Sequence, residues 1–302
     1  MFAFLLACAT GPELIDTAND PADTAAGTDS GEDTEPVAEP AELVEPSAGD
    51  CPDFGEGGKV TFMAGGEERM AYVDFPENRD EPLPIVFIWH PLGATARSMR
   101  GWVDAENWAA EQGVIAITPD SHDSELFEWG FSGTGERDLA LYDDLRTCAV
   151  RELNGDVRRV STMGMSAGAL WATFLGIHRG DTLATIMPWS GGTGDLVKYS
   201  TPASAFPALL VYGGEADVYD AGALVVHFDE LTAEFAGQLH ADGHYVGMCN
   251  HEGGHDFPPN YMDFMTQWLL PHEYGVASPF AADGDPADIA DFCYDYAPPV
   301  ED

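Results

Sequence analysis

Seven consecutive apolar residues, Leu83–Trp89 (LPIVFIW), constrain the fold of this chain more than any other stretch. A strand with one wet face alternates apolar and polar side chains. An unbroken apolar run needs cover on both faces, as a parallel strand inside a layered sheet has. The surrounding pattern agrees. Lys59–Phe62 and Met70–Phe75 read as an antiparallel pair around Gly65-Gly66. Further strands are predicted at Val114–Thr118, Arg159–Met163, Leu183–Pro188, Ala208–Tyr212 and His244–Met248. Helices are predicted at Ala105–Gln112, Asp138–Leu153, Ala167–His178, Gly222–Ala241 and Asn260–Leu270. Strands alternating with helices after an antiparallel start predict an α/β fold, a mostly parallel central sheet with helices on both faces.

Charge excludes one class of partner. The 302 residues carry 53 Asp and Glu against 12 Lys and Arg, a formal net charge of -41. Only Lys59 and Lys198 are lysines, and no basic patch exists that could hold a phosphate backbone, so no nucleic-acid role is expected. An acidic surface with few lysines stays solvated and repels its own copies, which fits a monomer in salty surroundings.

The chain begins MFAFLLACATGP, in which Leu5-Leu6-Ala7-Cys8 has the form of a lipoprotein cleavage box ending at the lipid-bearing Cys8. The apolar run is short and lacks a preceding Lys or Arg, so the alternative is a chance apolar terminus. Residues 9–50 hold twelve acidic residues and no basic one, the composition of an extended, self-repelling linker. The sequence therefore divides into a signal at 1–8, an acidic linker at 9–50, a folded domain at 51–275 and an acidic extension at 276–302. Export, with a lipid anchor or as a free secreted form, would suit two disulfides among Cys51, Cys148, Cys249 and Cys293. Of the three connectivities, the expected one joins Cys51 to Cys293, tying the domain ends together, and Cys148 to Cys249.

Three short motifs carry the chemistry. The first, Gly164-Met165-Ser166-Ala167-Gly168, matches G-x-S-x-G between a predicted strand and a predicted helix. Its glycines permit a sharp turn that leaves Ser166 exposed at the strand end, beneath the positive end of the helix. A serine hydroxyl needs a base, and the base needs an orienting acid. The second motif, GGEADVYD after the Ala208–Tyr212 strand, offers Glu215, Asp217 and Asp220. The third, HEGGH at His251–His255, matches the zinc pattern H-E-x-x-H, which requires both histidines on one helix face. Gly253 and Gly254 disfavour that helix and Pro258-Pro259 would end it, so a loop is expected instead. A Gly-rich loop at a strand end suits a histidine that reaches across to Ser166, and His255 is the expected base.

Four pieces together resemble the α/β-hydrolases, in particular the secreted branch of polyhydroxybutyrate depolymerases, feruloyl esterases and related acetyl-xylan esterases. They are WHPLGATA (Trp89–Ala96), RRVSTMGMSAG (Arg158–Gly168), GGEAD (Gly213–Asp217) and GGHDFP (Gly253–Pro258), spread over Lys59 to about Tyr274. The resemblance implies the α/β-hydrolase fold, with Ser166 as nucleophile, Asp217 as acid, His255 as base and Asp220 in reserve. It also implies an oxyanion hole from the backbone N–H of Ala167 and one from the loop after LPIVFIW. The family usually has His-Gly there. This chain has His90-Pro91, and proline lacks an N–H, so the second donor falls to Leu92. His90, Trp129 and Trp189 are candidate substrate-binding residues, the tryptophans as walls for a flat or polymeric group.

The expectation is an exported serine hydrolase acting on carboxylic esters of polyester, feruloyl or acetyl-polysaccharide type, through an acyl-enzyme and without a cofactor or metal. A peptidase of the same fold and a non-catalytic surface lipoprotein with a decayed site are the alternatives.

Overall fold

The computed structural model describes residues 38–122, 127–282 and 284–299. The expectations for Cys8 and for residues 9–37 lie outside these.

In chain order the elements are β1 (Gly58–Ala64), β2 (Glu67–Asp74), β3 (Leu83–Trp89), α1 (Ala96–Trp102), α2 (Ala105–Gln112), β4 (Ile115–Pro119), α3 (Glu136–Leu153), β5 (Gly155–Met165), α4 (Ala167–Arg179), β6 (Thr185–Trp189) and β7 (Ala208–Tyr212). A small hairpin follows, β8 (Val218–Asp220) and β9 (Val225–His227), then α5 (Phe228–Ala241), β10 (Val246–Asn250), α6 (Tyr261–Phe264), α7 (Pro279–Ala282) and β11 (Cys293–Asp295). Among the described residues, nine strands form one sheet in the order β1-β2-β4-β3-β5-β6-β7-β10-β11. The pairings from β4 to β10 are parallel, while β1, β2 and β11 pair antiparallel at the two edges. The mostly parallel sheet predicted from the alternation of elements is therefore present.

LPIVFIW sits at the centre of this sheet, every residue buried. Its side chains alternate between two cores. Ile85, Phe87 and Trp89 join the apolar layer of α3, α4 and α5, whereas Val86 and Ile88 join that of α1, α2 and α6. Cover on both faces is why the sequence shows no polar alternation there. Pro84 is tolerated because the β3–β5 register shifts between Leu83 and Ile85, the kind of irregularity to which an internal strand proline is confined.

Three sequence expectations are corrected. Gly222–Ala241 was expected to be helical throughout, but its start belongs to the β8–β9 hairpin and α5 begins at Phe228. The span 276–302 was expected to be an extension, yet it returns to the sheet as β11, with Cys293 directly opposite Cys249. Residues 38–50, read as the end of the linker, lie against the domain. The Arg146 guanidinium donates to the carbonyl of Ala41 (2.8 Å), the Thr147 hydroxyl to that of Val44 (3.0 Å), and Arg151 pairs with Glu45 (2.8 Å). The acceptors in the first two bonds are backbone carbonyls, which composition does not reveal.

The disulfide pairing is also corrected. Cys51 is bonded to Cys148 and Cys249 to Cys293. Cys148 packs in the α3–α5 layer, while Cys249 and Cys293 pack in the layer on the other face. The sheet stands between the sulfurs of the expected Cys148–Cys249 pair, which no disulfide geometry can span.

Candidate active site

Ser166 stands between the end of β5 and the start of α4 at φ 56° and ψ -119°. A non-glycine residue at such a φ is strained and persists only where its surroundings impose it. Here the close main-chain packing that Gly164 and Gly168 permit imposes it. A Cβ on Gly164 would collide with the carbonyl of Gly168, and one on Gly168 with the carbonyl of Trp89. The Ser166 N–H donates to the carbonyl of Trp189 on β6 at 2.9 Å, which locks the turn onto the neighbouring strand.

The loop after β7 carries Asp217, fully buried. One carboxylate oxygen accepts from the Ser190 hydroxyl (2.8 Å) and from the Gly213 N–H (2.9 Å). The other lies 2.7 Å from His255 Nδ1. A carboxylate only accepts, so Nδ1 carries the proton, and Nε2 is left to accept from the Ser166 hydroxyl at 2.9 Å. The three sequence-selected side chains thus form one hydrogen-bonded chain. Asp220, the reserve acid, instead accepts from the Gly222 N–H and shapes the hairpin turn.

The Gly-rich loop after β10 is held by backbone contacts that explain its composition. The Gly254 N–H donates to the carbonyl of Gly213 (2.9 Å), and any Cβ on Gly213 would overlap the Gly254 carbonyl. The acid loop and the histidine loop therefore touch main chain to main chain. His251 does not share a helix face with His255. Its Nδ1 accepts from the Gly253 N–H at 3.2 Å and its ring faces Phe292, while burial holds its pKa below the usual range. The backbone required by the zinc reading of HEGGH is absent from residues 251–254, which form an irregular loop.

Leu92 and Ala167, the expected oxyanion donors, both border the space beside Ser166. The loop bearing Leu92 is pinned from several sides. His90, fully buried, donates from Nδ1 to the carbonyl of Pro91 (2.9 Å) and accepts at Nε2 from the Ser121 N–H (3.1 Å). That pattern requires the neutral ring, and burial lowers its pKa accordingly. Trp129 Nε1 donates to the carbonyl of His90 (2.9 Å), and Glu128 accepts from the Gly93 N–H (3.1 Å). His90 and Trp129 are braces of this loop, not substrate walls as expected. Trp189 is likewise buried in the core beneath Phe257. Flat indoles predicted as binding surfaces proved large enough to be needed inside.

No protein-family model matches the chain, and no curated protein sequence matches it. Solved structures do. The native form of pOPH is 15% identical over 83% of this chain and 98% of its own, with a TM-score of 0.65. The chain has the α/β-hydrolase fold. A ferulic acid esterase (15% identity, 70% of this chain and 95% of its own, TM-score 0.54) and a thermostable esterase (17%, 72% and 63%, TM-score 0.55) share it.

On this α/β-hydrolase frame, sequence reasoning missed four residues around Ser166, Asp217 and His255. Ser190 holds Asp217. Phe228 stacks on the His255 ring, centroids 4.6 Å apart and planes 10° apart. Glu128 holds the Leu92 loop. Trp102, at the end of α1, is 45% exposed and meets Phe257 edge-on at 5.9 Å. Only Ser190 carried a readable signal, lying in SGG after β6 where the chain must turn sharply, at φ 55°.

Proposed function

We propose that this chain is a serine esterase that hydrolyses carboxylic esters through an acyl-enzyme. The observation that carries this reading is the unbroken hydrogen-bond chain from Ser166 Oγ through His255 to a buried Asp217. His255 Nε2 takes the Ser166 proton as Oγ attacks the ester carbonyl carbon, and Asp217 stabilises the imidazolium that forms. The N–H groups of Leu92 and Ala167 receive the oxyanion of the tetrahedral intermediate. Collapse expels the alcohol, protonated by His255. A water, deprotonated by His255, then attacks the acyl-enzyme and frees Ser166. The ester-hydrolysing names of the ferulic acid esterase and the thermostable esterase support the same reading, as does one pOPH form described as a complex with pNPB. We further propose that the protein works outside the cytoplasm, where Cys51–Cys148 and Cys249–Cys293 would persist.

A fluorophosphonate probe tests the reading. It should label Ser166 in the native protein and not in Ser166→Ala. His255→Ala should lower kcat on p-nitrophenyl acetate by about four or more orders of magnitude. Absence of labelling in a folded protein would point to a non-catalytic role.

A further inference from the structure

Two unlike spaces meet at Ser166, and they divide an ester between them. One is an open cavity of about 280 Å³ bordered by His255, Asp256, Phe257, Trp102 and Tyr219. The other is an apolar notch of about 20 Å³ bordered by Ala167, Phe127, Leu170, Leu196, Val226 and Phe228. Tyr219, on the β8–β9 hairpin, borders both, as Leu92 does.

The proton path decides which half of a substrate each space receives. His255 Nε2 must hand its proton to the departing alcohol oxygen, so the alcohol lies on the side that His255 borders. That is the open cavity. The acyl substituent is left with the notch, whose volume is close to that of one or two water-sized groups. We infer that the enzyme takes esters of very short acyl groups, acetyl above all, with bulky alcohols, an inference that rests on the esterase reading above.

The notch walls resist widening. Leu170, Val226, Phe127 and Phe228 are at most 8% exposed, and Phe228 also supports the His255 ring, so displacing it would tilt the base. Each added methylene must therefore enter against packed side chains. A cinnamoyl-type acyl group has no room. On the alcohol side, Trp102 and Phe257 offer an aromatic ledge suited to a flat or apolar ring face. Asp256 and the strongly negative chain disfavour an anionic alcohol there.

The test is a p-nitrophenyl series of acetate, butyrate and octanoate, run on the native protein and on Leu196→Ala. Leu196 is the half-buried wall of the notch, so its truncation opens space at least structural cost, and Val226→Ala serves if that variant does not fold. Acetate should exceed octanoate in kcat/KM by about tenfold or more, because a filled pocket discriminates single methylenes strongly. Truncation should raise the octanoate-to-acetate ratio by about tenfold. Comparing variant with native cancels the intrinsic reactivity of each ester. Trp102→Ala should leave that ratio unchanged while raising KM for 2-naphthyl acetate. Fluorophosphonate labelling of Ser166 together with octanoate hydrolysed as well as acetate would overturn this inference and leave the esterase reading standing. Absence of labelling would overturn both.

Discussion

At the scale of single residues, Asp217 shows how a carboxylate can be buried and still be fully hydrogen-bonded. Two donors, the Ser190 hydroxyl and the Gly213 N–H, occupy one oxygen and fix the other toward His255. A hydrogen bond to a charged group contributes about 1.5–3 kcal/mol. Ser190→Ala should therefore lower kcat by about ten- to a hundredfold, with KM nearly unchanged, as expected for a residue that positions the acid and never meets the substrate. His251→Ala should keep most activity, and a chelator should have no effect on either protein. Steady-state kinetics on p-nitrophenyl acetate distinguishes these outcomes. The proposed catalytic set, Ser166, Asp217 and His255, could be picked out from the sequence because each chemistry imposes a residue type, an order and a glycine-rich setting. Phe228 and Glu128 could not, since their roles arise where separate loops cross and no local pattern records the crossing.

At the scale of elements, the sheet was legible because burial on two faces leaves a mark on every strand, LPIVFIW most of all. The β8–β9 hairpin was not. Its three-residue strands pair only with each other, too briefly to show alternation, and they lead directly into a true helix. The cysteine pairing was equally hidden, because sequence does not say which face of a sheet each sulfur occupies. The Cys51–Cys148 bond joins the segment preceding β1 to α3 across 97 residues of chain. Closing a loop of that length restricts the unfolded ensemble, so replacing both cysteines with alanine should destabilise the protein by about 2–4 kcal/mol in denaturant titration. Unchanged stability would mean that the contacts of residues 38–50 hold α3 without the bond.

At the scale of the whole molecule, charge dominates. Residues 51–302 hold 41 acidic and 12 basic side chains, a net of -29, so repulsions far outnumber the ion pairs available to offset them. Salt weakens both, with a Debye length falling from about 10 Å at 0.1 M to about 3 Å at 1 M. The repulsive excess decides the sign. Tm should rise from low salt to about 1 M sodium chloride, as read by thermal melts across the titration. A flat or falling Tm would remove salt adaptation from the account without touching the triad. The attachment of residues 38–50 has a mechanical consequence as well. Tension applied upstream of residue 38 first meets the Arg158 guanidinium on β5, which holds the Ala38 carbonyl and Glu39, and then the grips of Arg146 and Arg151 on α3. If those slip, it reaches Cys51, whose bond to Cys148 hands the load to the same helix. The chain between Cys51 and Cys148 is thus bypassed. Edge strand β1, which would otherwise peel from β2 one rung at a time, lies inside that bypassed loop and carries none of the load.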